Sequence, residues 1–219
     1  MFTSVHFIWL LVIAAVIGAL LVAAHKSKLP APRVQRVTAV VLFALKLFHL
    51  CSIMIYTVIL SCFIRNERLL ARLKSFMVPC LMIGALMALL IPTEGVDPTV
   101  PRVWQYMLIH GALVFYGLYL ALIERVDLSF RAYGNNLLLL GGVTMVAFLM
   151  NSVLEQYGTN FLFLRIPPME NLPILNLSNG WYVYFVTLMA VACLLVLLVH
   201  LPFILAEARR KRRDRETRP

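Results

Sequence analysis

The chain has 219 residues, of which 62% are hydrophobic and 14% are charged, and its formal net charge is +10. A soluble domain is roughly half apolar and a quarter charged, so this composition excludes an ordinary soluble protein. The basic residues lie at the borders of long apolar blocks, where lysine and arginine mark cytoplasmic loops. This placement argues against nucleic acid as a partner.

The apolar residues form blocks that are long enough to cross a hydrocarbon core of ~30 Å as helices. The sequence therefore predicts an all-α fold, with one polytopic transmembrane bundle over residues 1–206 and a basic tail over residues 207–219. We favour six spans, at residues 5–24, 37–64, 76–91, 103–123, 136–156 and 180–205. The first block is interpreted as a retained span, because no positive charge precedes it and its apolar part is too long for a signal peptide.

The loops leave one conflict about topology. The tail carries seven Arg or Lys residues, so we expect a cell-membrane protein with its C-terminus in the cytoplasm and with loop 65–75 also inside. Six crossings then place the basic loop 25–36 outside, against the positive-inside rule. Seven crossings remove the conflict if block 37–64 is re-entrant or broken, although two full crossings need about 40 residues.

Block 37–64 contains a polar run at residues 46–51, with the sequence KLFHLC. Ionisable groups at membrane depth are costly unless they are paired or hydrated, so this run is a candidate functional site. At ~100° per residue, one face of a regular helix presents four polar side chains: Lys46, His49, Ser52 and Tyr56. Cys51 points nearly the opposite way. A histidine that works with this block is therefore expected from another span.

His110, in the fourth block, is the candidate for that histidine. Tyr106 lies one turn earlier on the same side, and Gly111 permits close approach of a neighbouring helix. Asn151 in the fifth block points the same way as other polar side chains of its helix, and loop 157–179 could cover the mouth of a cavity. His6 and His200 receive little weight, because one lies near a terminus and the other near the inner end of a span.

Metal chemistry and disulfides are not indicated. A catalytic zinc needs three N, O or S ligands, and no ligand spacing supports such a site, so we predict no metal and no cofactor. The four cysteines all lie inside apolar blocks and form no CxxC motif, which is typical of buried small hydrophobic residues.

The order of short motifs resembles that of a known family. The motifs are FHLC at 48–51, Gly84-Ala85 in a helix that ends at Pro92, Ile109-His110-Gly111, Gly158-Thr159-Asn160, Pro167-Pro168, and Trp181 with Tyr184. Over about residues 45–203 the chain resembles the YwaF-type bacterial integral membrane protein family, which is similar to the animal polytopic transmembrane phospholipid acyltransferase family. Members of the bacterial family commonly have seven spans and a proline before HLC, where this chain has Leu47-Phe48.

The resemblance implies a membrane-embedded acyltransferase or lipid-ester hydrolase that acts on a phospholipid or a lipid-linked acyl group from a cavity in the outer half of the bilayer. Its partners would be membrane lipids and the acyl-lipid substrate. His110 would be the general base, and the acyl group would go to Cys51 or, as alternatives, to Ser52 or His49. Lys46 or Asn151 would stabilise the oxyanion or hold phosphate. The remaining residues expected to bind substrate are Tyr56, Tyr106 and Asn160.

A function of a different class, without catalysis, also fits the sequence. Several helices around an outward-facing polar pocket suit a small-solute binding or transport subunit without catalysis, and discontinuous helices mark such sites. Lipid turnover that depends on His110 would favour the enzyme, whereas uptake or binding without turnover would favour the transporter.

Overall fold

The computed structural model of the chain describes residues 4–27, 32–38, 53–92, 95–168 and 172–216. Within these ranges the helices are α1 (Ser4–Ser27), α2 (Ile53–Ser61), α3 (Glu67–Leu90), α4 (Pro101–Leu122), α5 (Phe130–Val153) and α6 (Trp181–Glu216). Residues 32–38 are also helical, and short 3₁₀ turns cover Glu155–Tyr157 and Phe161–Phe163. The chain divides into two compact units, Met1–Asp127 and Leu128–Pro219.

The expected fold class is confirmed. Among the described residues, five helices are long and apolar enough to cross a membrane: α1, α3, α4, α5 and α6. They correspond to five of the six predicted spans, and the chain is a multi-pass helical membrane protein. Of the remaining predicted span, 37–64, residues 39–52 lie outside the described residues.

Two helices extend beyond the apolar blocks that predicted them. α3 begins at Glu67, because the extended Asn66 caps it and its side-chain oxygen accepts a hydrogen bond from the Leu69 N–H at 3.0 Å. The prediction of a loop at 65–75 is therefore wrong from Glu67 onwards. α6 continues through the basic tail to Glu216, where an ion pair of 2.5 Å joins Lys211 to Glu207 one turn earlier.

In the first unit, α1 and α4 run in the same direction and α3 runs opposite to them. The rings of Trp9 and Trp104 meet edge to face at 4.4 Å, and further along a Cβ at Gly111 would lie 3.2 Å from the Ile13 side chain. The indole N–H of Trp9 also donates to the Val96 carbonyl at 3.3 Å. α1 therefore starts at the end of the unit where α3 passes into α4, and it finishes at the end where α3 begins.

A hydrogen bond links a residue just before block 37–64 to a residue near the end of that block. The Gln35 amide donates to the Ser61 hydroxyl at 2.7 Å, both side chains are buried, and the two residues are separated by 26 positions. One helical crossing of that length would hold them ~39 Å apart. The contact favours the re-entrant or broken alternative. Because α1 also finishes at this end of the unit, the described basic residues Lys26, Arg33 and Arg36 lie at the same end as Arg65, as the positive-inside rule favours.

This arrangement predicts a specific cross-link. In a variant whose four native cysteines are replaced by serine, Gln35→Cys with Ser61→Cys should form an intramolecular disulfide on mild oxidation, detected as a gel shift that reductant reverses. The control is Gln35→Cys with Ile91→Cys, which places the second thiol at the opposite end of the unit. Labelling of positions 35 and 61 by an impermeant maleimide from opposite sides of the membrane would contradict the arrangement.

A buried ion pair lies at the end of the first unit where α3 begins. Lys74 Nζ donates to Glu124 Oε1 at 2.5 Å, and the Lys74 residue is only 7% exposed. In the described part of the chain, the other oxygen of Glu124 and the hydroxyl of Tyr116 are buried without a hydrogen-bond partner. The nearby Ser75 hydroxyl donates to the Asp127 carbonyl at 2.6 Å and ties α3 to the chain that follows α4.

In the second unit, a buried histidine joins α5 and α6. His200 Nδ1 donates to the Leu128 carbonyl at 3.1 Å, and its Nε2 accepts from the Asn136 amide at 3.1 Å. A carbonyl can only accept and an amide nitrogen can only donate, so these partners require a neutral ring with its proton on Nδ1. His200 is fully buried and functions as a core residue of this unit.

Candidate functional site

His110 lies in α4, about two and a half turns from the helix start, and is partly buried. Its Nδ1 lies 2.7 Å from the Tyr106 carbonyl oxygen, one turn back along the helix. Because the carbonyl can only accept, Nδ1 carries the proton, and in the neutral ring the lone pair is on Nε2. This tautomer is the one that a general base acting through Nε2 requires.

Tyr106 packs directly against His110, as their spacing predicts. The centroids of the two rings lie 4.2 Å apart, and Tyr106 is 6% exposed. The tyrosine hydroxyl donates to the Ala88 carbonyl near the end of α3 at 2.9 Å. The imidazole is thus held by the backbone on one edge and by a fixed aromatic ring on its face.

His6 is a member of this site that the sequence analysis gave little weight. It is fully buried, and its Nε2 donates to the Leu89 carbonyl at 2.8 Å. Leu89 and Ala88 lie in the last turn of α3, whose carbonyls have no partner within the helix. His6 and Tyr106 therefore satisfy two successive carbonyls at the same helix end, and with His110 they form what we call the histidine–tyrosine cluster.

A signal for His6 was present in the sequence. It is the one ionisable side chain between Val5 and Ala24, and an imidazole inside an apolar span is costly unless it has a partner. The partner is a backbone carbonyl 83 positions away, which no local pattern shows.

The predicted polar run of block 37–64 lies outside the described residues, and so does Ser52. The predicted roles of Lys46, His49, Cys51 and Ser52 beside His110 therefore stay predictions. Tyr56 is described, and it lies on α2 with 57% of its surface exposed. Its role in binding substrate stays a prediction.

Asn151 and Asn160 both hold the loop that follows α5. Asn151 is 2% exposed, and its amide bonds both backbone groups of Phe161, donating to the carbonyl at 3.0 Å and accepting from the N–H at 2.7 Å. Asn160 accepts from the Arg165 N–H at 3.0 Å and donates to the Ile166 carbonyl at 2.7 Å. These bonds fix a loop in which Leu162 and Phe163 adopt positive φ angles of 56° and 55°.

The same loop borders a cavity of about 420 Å³ in the second unit. Its wall combines an ion pair, Glu155 with Arg165 at 2.5 Å, and the indole of Trp181, whose N–H donates to the Leu164 carbonyl at 2.9 Å. The ion pair is largely exposed, so it contributes little to stability. The cavity can accept a polar or zwitterionic group of moderate size.

Removal of the Asn151 amide should loosen this loop. Asn151→Ala removes the partner of the Phe161 N–H and one of the two donors to its carbonyl, which also accepts from the Leu164 N–H. The cost should be about 1–3 kcal/mol, which corresponds to about 5-fold to 150-fold faster amide exchange at 160–164. Hydrogen–deuterium exchange in detergent measures this. The matched control is Ser152→Ala, because the exposed Ser152 hydroxyl bonds only the Phe148 carbonyl of its own helix. Equal exchange in the two variants would contradict the assigned role.

Among the described residues, no three or more His, Cys, Asp or Glu side chains lie close enough together to hold a metal ion.

Comparison with known proteins gives one family. A model of the TMEM164 family matches residues 1–200, and so includes the N-terminal residues that lay outside the motif resemblance. No curated protein matches the chain. No solved structure matches it either.

Proposed function

The chain belongs to the TMEM164 family, and we propose that it is a membrane-embedded lipid-modifying enzyme, an acyltransferase or lipid-ester hydrolase that acts on a phospholipid or a lipid-linked acyl group. The observation that carries this proposal is the hydrogen bond that fixes the ring of His110. Its Nδ1 proton is anchored on the Tyr106 carbonyl, so that Nε2 is the basic nitrogen of a neutral ring inside a membrane span. The resemblance to the phospholipid acyltransferase family supplies the reaction class.

In the proposed reaction, a nucleophile attacks the carbonyl carbon of the lipid ester while His110 Nε2 takes up its proton. Cys51 is the first candidate for this nucleophile, with Ser52 and His49 as alternatives. Collapse of the tetrahedral intermediate breaks the ester bond, and the leaving alkoxide receives the proton from His110. A second hydroxyl or a water then attacks the acyl-enzyme, which gives transfer or hydrolysis.

The developing negative charge on the ester oxygen needs a hydrogen-bond donor. Lys46 is the proposed donor, and it could also hold a lipid phosphate. Tyr56 and Tyr106 are proposed to bind substrate around this centre. The roles expected of Asn151 and Asn160 stay predictions, because both residues lie in the second unit, where their amides bond the loop backbone.

The proposal is tested with the purified protein in liposomes that contain a phospholipid labelled in its acyl chain. The expected result is a labelled transfer product or free fatty acid, together with the lysophospholipid, at a rate proportional to the amount of protein. Folded protein that gives no product with any of several headgroups would overturn the proposal.

The proposed orientation has the C-terminus in the cytoplasm of a cell-membrane protein. In the first unit, Arg65, Arg68 and Arg72 lie at the end where α3 begins, which the positive-inside rule assigns to the cytoplasm. The histidine–tyrosine cluster lies near the other end of α3, and therefore in the outer half of the bilayer.

A second candidate function is binding or transport of a small solute without catalysis. The contact between Gln35 and Ser61 supports it, because two described segments on either side of residues 39–52 meet at one end of the first unit, which is compatible with the discontinuous segments of transporter sites. Solute uptake by liposomes that show no lipid turnover would establish this function in place of the enzyme.

A further inference from the structure

A long apolar groove runs along the first unit, between α1, α3 and α4. Its cavity volume is about 440 Å³. On α1 the groove extends from Leu10 to Leu21, which corresponds to about 17 Å along the helix. Its lining is apolar throughout and includes Ile13, Gly18, Leu86, Leu90 and Leu118.

One end of the groove lies next to the histidine–tyrosine cluster, whose residues are neighbours of the lining and not part of it. Leu89 lines the groove, and its carbonyl is the acceptor for His6. Val114, also in the lining, follows His110 by one turn of α4, and Ile13 covers the neighbouring Gly111. A slender apolar channel thus begins beside polar groups that are fixed in place.

Gly18 makes the groove open at its middle. Glycine inside a helix costs about 1 kcal/mol relative to alanine, and a frequent reason for it is close contact with another helix. Here a Cβ at Gly18 would meet no heavy atom within 4 Å. The missing side chain therefore leaves space and serves no close helix contact.

We propose that this groove holds the acyl chain of the lipid substrate, with the ester group at the histidine–tyrosine cluster and the chain passing over Gly18. The inference rests on the proposed function, since it names the part of that site which binds the chain. An ester at the head of a long apolar chain matches a polar cluster at the head of a long apolar groove. A lipid tail in the opposite direction would place its terminal methyl group among the imidazoles.

The test is Gly18→Leu, whose Cβ would meet no heavy atom within 4 Å and whose larger side chain occupies the groove. The matched control is Gly84→Leu on α3, because Gly84 also has no heavy atom within 4 Å of an added Cβ and does not line the groove. For Gly18→Leu we expect a loss of about tenfold or more in turnover of long-chain lipids, with turnover of short-chain lipids retained. Gly84→Leu should keep both activities.

Binding is measured separately from turnover, with a long-chain phospholipid that carries a photoreactive group in its acyl chain. We expect cross-links to α1, α3 and α4 that are lost in Gly18→Leu and kept in Gly84→Leu. If this pattern appears without turnover in the wild type, the proposed enzyme fails and the chain-binding groove stands. Unchanged cross-linking and unchanged long-chain turnover in Gly18→Leu would overturn the inference.

Discussion

Replacement of His110 by alanine should lower lipid turnover in liposomes by about 10²–10⁴-fold, the usual contribution of a general base. The loss is expected because His110 Nε2 is the proposed acceptor of the nucleophile's proton. His110→Gln separates this chemical role from a structural one. A glutamine amide can still donate a hydrogen bond toward the Tyr106 carbonyl, but it cannot accept a proton at neutral pH.

The measurement is the initial rate of labelled product release by the two His110 variants and the wild type, at equal amounts of folded protein. We expect both variants to show this loss of turnover, and we expect the free energy of unfolding of His110→Gln to be close to that of the wild type. His200→Gln is an unsuitable control, since His200 is a buried core residue of the second unit. Wild-type turnover by His110→Gln would contradict the assignment of His110 as the base.

Replacement of Lys74 by alanine should destabilise the first unit by about 3 kcal/mol, the lower end of the range for breaking a buried ion pair. The variant leaves the Glu124 carboxylate largely buried and without its cation, while the second carboxylate oxygen already has no hydrogen-bond partner in the described part of the chain. The free energy of unfolding in mixed detergent micelles measures this effect.

The double variant Lys74→Met with Glu124→Gln is the control for this result. It removes both charges together, so its loss of stability should be clearly smaller than that of Lys74→Ala. A single variant as stable as the wild type would show that Glu124 is solvated there and that the pair is not buried. Equal losses in the single and double variants would show that the uncompensated charge of Glu124 is not the cause.

The transmembrane segments were predictable because hydrocarbon thickness sets a length that composition reveals. The ends of the helices could not be predicted in this way, because they depend on capping. α3 begins at Glu67 because the Asn66 side chain satisfies a backbone N–H, and the charged first turns remain helical beyond the apolar block. The tail of α6 is also helical, and two exposed ion pairs join its successive turns.

The number of times that block 37–64 crosses the membrane could not be predicted from its length. A largely apolar block of 28 residues suits either one long span or a re-entrant or broken segment. The contact that distinguishes them joins Gln35 to Ser61, and it depends on tertiary structure.

The candidate site, too, could be predicted from the sequence only in part. The pairing of Tyr106 with His110 follows from helical periodicity alone, and their rings are in contact. His6 joins them only because α1 runs parallel to α4 and brings its first turn to the end of α3. The polar run at residues 46–51 remains a prediction, because it lies outside the described residues.

The most direct test of the whole account is an experimental structure of the protein in a lipid nanodisc that contains its phospholipid substrate. The account predicts chain-shaped density in the groove over Gly18, with the head of the lipid at Tyr106 and His110. Density with the opposite direction, whose head lies toward Lys74 and Glu124, would contradict it. A groove closed by protein side chains, with lipid bound elsewhere, would contradict it as well.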